Sequence, residues 1–130
     1  MNIIKKTLKP FSAKVTLGLE IGYTERLIEK TKIIQHIQKI QNDLIKSKNI
    51  FLSVSISDTN IVMSGQIEPH IILNFINYPK FPVKIKILKK EIEDLTKQLM
   101  VEFKQNRTII EYLDETLMLE QTEDIDPRIK

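Results

Sequence analysis

Residues Ile50 to Pro79 read IFLSVSISDTNIVMSGQIEPHIILNFINYP, a β-rich centre between two long helical patterns. Ile50, Leu52, Val54 and Ile56 alternate with Phe51, Ser53, Ser55 and Ser57, the period of two that gives a strand one apolar face. Asp58, Thr59 and Asn60 predict a turn, because short polar side chains bond to nearby backbone and tolerate tight bends. A short run, Ile61-Val62-Met63, ends at Ser64-Gly65. A third, Ile71 to Ile76, runs into a loop marked by Pro79 and Pro82. These residues are expected to form the middle of an antiparallel sheet. The segment Ser64 to His70 is the piece a ligand is expected to touch.

Working outward, Val15, Leu17, Leu19 and Ile21 alternate with Lys14, Thr16, Gly18 and Glu20, which predicts a strand over 14–21. Thr24 is expected to cap a helix from about Glu25 to Lys46, with Ile33, Ile37, Ile40 and Leu44 as its apolar stripe and Leu27, Ile34 and Ile45 widening it. Ile85, Leu88, Ile92, Leu95, Leu99 and Phe103 make the same argument for a second helix, with Asn106 expected as its left-handed cap. Arg107 to Leu113 and Leu117 to Glu120 read as two closing strands. Leu19, Leu52, Leu73, Leu95 and Leu99 are expected to share one core.

The order strand, helix, two or three strands, helix, strand defines an α+β fold of ferredoxin-like β-α-β-β-α-β type with an extra short strand. Both helices then cover one face of the sheet. Thr16, Gly18, Ser53, Ser55 and Asn74 fall on the open face, near Ile72 and Ile76. Residues 1–13 read as a basic leader, 14–120 as a single domain and 121–130 as a mobile charged tail with little to bury.

With 130 residues the chain is long enough for a core without staples, and it has no cysteine. That excludes a thiol nucleophile, a thiolate metal site and a disulfide framework. No apolar run approaches the ~18 residues of a membrane span, and no signal peptide is seen, so a cytoplasmic protein is expected. The net charge is +3, carried by 17 Lys and three Arg spread along the chain. Such diffuse charge argues against nucleic acid as a partner. His36 and His70 lack metal-ligand spacing, so no metal and no cofactor are expected.

Gln66, Glu68 and His70 alternate on an extended segment and project to one side, where they would converge on a polar ligand. The bland alternative is a hairpin shaped by Gly65 and Pro69 with solvated polar groups. Arg26 is placed in a first helical turn, which already favours anions, and Arg107 at a helix-to-strand junction after Gln105. Arginine grips phosphate or carboxylate with two parallel bonds. Arg26, Gln66, Glu68, His70, Gln105 and Arg107 are therefore the candidate ligand-binding residues, and no catalytic residue is assigned. Gln66–His70 and Gln105–Arg107 are expected to lie close together.

The element order, the Gln66-Ile67-Glu68-Pro69 segment and Phe103-Lys104-Gln105-Asn106-Arg107 resemble small, uncharacterised tautomerase-like proteins over roughly residues 14–119. That resemblance implies a ferredoxin-like fold and oligomerisation. Tautomerases use an amino-terminal proline as base, whereas here Asn2 follows Met1 and the first proline is Pro10. The favoured reading is thus a non-catalytic module that self-associates, as a homodimer or higher even oligomer, and holds a small anionic ligand such as a nucleotide. Its alternative is a tautomerase-like isomerase using Glu68 or His70 as base.

Overall fold

The structure, a computed structural model, describes residues 1–128. Residues 129 and 130, the last of the expected tail, lie outside the described residues. The chain runs β1 (Ala13–Gly18), α1 (Lys30–Lys48), β2 (Ser53–Met63), β3 (Gln66–Ile76), α2 (Ile85–Glu102), β4 (Arg107–Tyr112) and β5 (Thr116–Glu120). The strands form one antiparallel sheet in the order β2-β3-β1-β4-β5. With both helices on one face, this is the expected α+β, ferredoxin-like architecture with its extra strand.

The stripes read from the sequence make the core. Ile33, Ile37, Ile40 and Leu44 of α1 and Leu88, Ile92, Leu95 and Leu99 of α2 are buried against Val15, Leu17, Ile71, Leu73, Phe75 and Ile110 of the sheet. Leu52, Leu73, Leu95 and Leu99 belong to this core, and Leu19 packs against it partly buried. Lys48 ties the two helices together through Glu91 at 2.6 Å.

The centre differs from expectation at Asp58-Thr59-Asn60. These residues do not turn; they continue β2 and pair with Ile71, His70 and Pro69. The turn falls instead at Ser64-Gly65, both with positive φ (46° and 84°), a two-residue loop whose twist suits an antiparallel hairpin. That loop sets the register for two 11-residue strands, and the long pairing overrides the local turn preference. Gln66 to His70 is therefore strand, the extended conformation that its alternation requires. Pro69 lies beyond the end of β1, where its carbonyl accepts a hydrogen bond from the Leu19 amide at 3.0 Å.

The first helix also begins later than expected. Residues 20–27 fold into a turn closed by a Glu20–Leu27 bridge, with the Ile21 amide donating to the Arg26 carbonyl at 2.7 Å. Thr24 caps this turn rather than a helix: its hydroxyl donates to the Ile21 carbonyl and accepts from the Arg26 amide at 3.2 Å. Leu27 consequently stands exposed instead of widening the helical stripe. At the end of α2, Lys104 takes the left-handed conformation (φ 53°) expected of Asn106. Residues 1–12 hold no helix or strand.

Candidate functional site

The open face of the sheet is built by the side chains that alternate away from the helices. Register places Thr16 and Gly18 of β1 beside Ile72 and His70 of β3, and Thr16 beside Ile109 of β4. A cavity of about 340 Å³ lies there, lined by Thr16, Ile61, Met63, Gln66, Glu68, His70, Arg107, Thr108, Ile109, Glu111 and Asp126. Its volume is in the range of small-molecule sites, roughly 300–1,000 Å³. Ile61, Met63 and Ile109 supply apolar wall. Glu68, Glu111 and Asp126 bring carboxylates to the lining, and Arg107 brings a guanidinium.

Gln66, Glu68, His70 and Arg107 thus come together, as their spacing suggested. A smaller recess of about 80 Å³ adjoins them, lined in part by Glu20, Tyr23, Glu68, His70, Gln105, Arg107, Asp126 and Arg128. Gln105 is 8% exposed. Its amide donates to the carbonyls of Glu20 at 2.6 Å and Phe103 at 3.0 Å. It comes so close because residue 18 is glycine: a Cβ there would meet Gln105 Oε1 at 2.4 Å. Gln105 is therefore a buried clasp. Arg26 is not part of the cluster, since it lines a separate hollow with Lys32, Glu102 and Lys104.

Arg107 differs in role from the expected anion anchor. Its Nε donates to Glu120 at 2.7 Å and its Nη2 to the Asp124 carbonyl at 3.0 Å. With Asn106, which accepts from the Thr122 amide at 2.9 Å and donates to the Tyr23 hydroxyl at 2.8 Å, it fastens the following segment. That segment, 121–128, was expected to have little to bury, yet Asp126 is 5% exposed. Arg128 donates to Asp126 at 2.8 Å and to Glu20 at 3.0 Å, and lies 3.7 Å from Glu68. Gln66 donates to the Arg128 carbonyl at 2.7 Å.

Sequence reasoning passed over Asp126 and Arg128. The signal that could have found them is scarcity, since Arg128 is one of three arginines and follows a run of acids. Burial, and next a hydrogen bond with Asp126, raise the Glu68 carboxyl above its ordinary value, although His70 and Arg128 pull it down. The Arg128 guanidinium holds Asp126 below its ordinary value, against the effect of burial.

The fold and this open-face cavity define an α+β sheet protein with a half-enclosed polar site. Two solved structures share its shape along nearly the whole chain. A phage SAM lyase in complex with S-methyl-5'-thioadenosine superposes with a TM-score of 0.66 at 17% identity, covering 96% of this chain and 100% of its own. A phage SAM lyase in the apo state gives 0.67 at 16% identity, covering 95% and 99%. No family model and no curated protein matches the sequence. At this identity the likeness establishes the fold. Because both neighbours are an enzyme, it also overturns the expected non-catalytic binding module and its tautomerase-like alternative.

Proposed function

We propose that this chain is an enzyme that binds S-adenosylmethionine (SAM) in the open-face cavity and splits it to release S-methyl-5'-thioadenosine. The observation that carries the reading is the cavity itself. Carboxylates and apolar side chains meet there, on a fold shared end to end with a phage SAM lyase. SAM carries two positive groups, a sulfonium and an ammonium, and one carboxylate. Glu68 and Glu111 suit the positive groups, while Ile61, Met63 and Ile109 suit the adenosine and the methyl group.

The products define which bond breaks. S-Methyl-5'-thioadenosine is SAM without its four-carbon amino-acid arm, so the bond between sulfur and that arm is cleaved and its electron pair stays on sulfur. No water is consumed in a lyase reaction. The arm leaves either by losing a proton from the adjacent carbon or by closing its own carboxylate onto the carbon that departs. Positive charge disappears from sulfur along both routes. An apolar wall favours that loss of charge over the charged sulfonium.

Among the residues singled out from the sequence, Glu68, His70 and Gln66 belong to this proposed site. Glu68 is the group assigned to the substrate cation. Self-association is part of the reading, with Ile61, Val62, Met63 and Ile67 exposed at the hairpin tip as the surface to cover. A cytoplasmic location is part of it as well, because SAM is made and used inside cells.

The test is incubation of the purified chain with SAM, with products separated by chromatography. The reading expects S-methyl-5'-thioadenosine to accumulate with wild type, and Glu68→Gln to slow its release by roughly ten- to a hundredfold, the scale of a hydrogen bond to a charged group. Release by wild type no faster than the spontaneous background would contradict it.

A further inference from the structure

We infer that residues 121–128 are an autoinhibitory strap, in which Arg128 occupies from within the acidic subsite that a cationic substrate needs. The inference rests on the cavity reading above and extends it to regulation of the same site. The strap is pinned at two places. At its root, Arg107 and Asn106 bond the chain at residues 122 and 124, and at its tip Gln66 bonds the Arg128 carbonyl. Between these points Asp126 sits in the wall of the larger cavity, while Arg128 lines the adjoining recess.

What the strap places there is a positive charge among carboxylates. The guanidinium touches Glu20 at 3.0 Å and Asp126 at 2.8 Å, with Glu68 at 3.7 Å. The side chains of Glu20 and Asp126 are 13% and 6% exposed, so these are not the wet ion pairs of an outer surface. Glu68 faces both the cavity and the recess. A ligand bringing its own cation to Glu68 and Glu20 must displace Arg128. Asp126 leaves with it, and the two hollows join into one groove. The affinity of such a ligand is that of the open site multiplied by the fraction of time the strap is open.

Two substitutions in the full-length chain test this. Arg128→Ala removes the guanidinium, and Arg128→Gln removes its charge while keeping a hydrogen-bonding side chain. Calorimetry with SAM should show both variants binding about tenfold more tightly than wild type, because the strap no longer competes. S-Methyl-5'-thioadenosine, which carries no fixed positive charge, should bind all three alike. An unchanged or weakened affinity for SAM in both variants would overturn the inference, as would equal tightening of both ligands.

A second arm is independent of SAM. Millimolar methylguanidinium should raise the melting temperature of both variants by refilling the vacated place, and leave wild type unmoved. Absence of that rise in both variants would also overturn the strap. If wild type yields no S-methyl-5'-thioadenosine but methylguanidinium still stabilises the variants, the proposed reaction falls and the strap stands.

Discussion

The two faces of the sheet divide the protein's work. The covered face is largely apolar: Val15, Leu17, Ile71, Leu73, Phe75 and Ile110 lie under the helices, each with 0% exposure. The open face has Thr16, Glu68, His70 and Ile109 in the adjacent rows of the same strands, with a strap of polar contacts over one end. Because neighbouring residues of a strand point to opposite faces, a shift of one position separates core from site. Stability belongs to one row and the proposed chemistry to the next. Substitutions should therefore sort by row.

The largest effect is expected on the covered face. Leu95→Ala should cost roughly 2–5 kcal/mol by leaving a cavity under the sheet, read as a lower urea midpoint. A midpoint equal to wild type would break the comparison from that side. Glu68→Gln addresses the open face and should do the reverse: SAM turnover falls about ten- to a hundredfold, while the urea midpoint shifts by less than about 1 kcal/mol. A large loss of stability with turnover kept would place Glu68 among the structural residues.

Gly18→Ala lies where the two faces meet the buried clasp. Its new Cβ would collide with Gln105 Oε1, so Gln105 must give up its bond to the Glu20 carbonyl. Overpacking of this kind should cost about 1–3 kcal/mol, visible in the same denaturation curves. The double substitution Gly18→Ala with Gln105→Ala should recover part of that loss, since the collision is gone.

The smallest expected effect is a change in pH dependence. Asp126 is held below its ordinary value of 3.8, so it stabilises the fold above that value and the stabilisation is lost as pH falls through its lowered range. Glu68 is raised above 4.5, so its contribution has the opposite sign: stability increases as pH falls through its raised range. Asp126→Asn should flatten the acid-side loss, measured as urea midpoints from neutral pH downward. A curve that still follows wild type below pH 3.8 would show that Asp126 does not couple the strap to the sheet.

The covered face was legible in the sequence because it depends on periodicity. Ile33, Ile37, Ile40 and Leu44 repeat at the helical spacing, and Val15 and Leu17 alternate at the strand spacing. Half of the open face was legible for the same reason, since alternation alone grouped Gln66, Glu68 and His70. What escaped depends on long-range contact. Asp58-Thr59-Asn60 carry turn residues, but pairing with a strand fixed by a hairpin elsewhere keeps them extended. Arg128 looked like part of a solvated tail because its partner Glu20 lies 108 residues away. Arg26 was misplaced with the helix start, which a backbone turn at residues 20–27 delays to Lys30.

The division between the faces is tested most directly by the isoleucines, which occur in both rows. Methyl NMR of isoleucine-labelled protein, titrated with S-methyl-5'-thioadenosine, reports on each face in one spectrum. Ile61 and Ile109, which line the open cavity, should shift, while Ile33, Ile92 and Ile110 in the covered core stay in place. Shifts at Ile33 and Ile92 with none at Ile61 and Ile109, or no shifts at saturating ligand, would contradict the account.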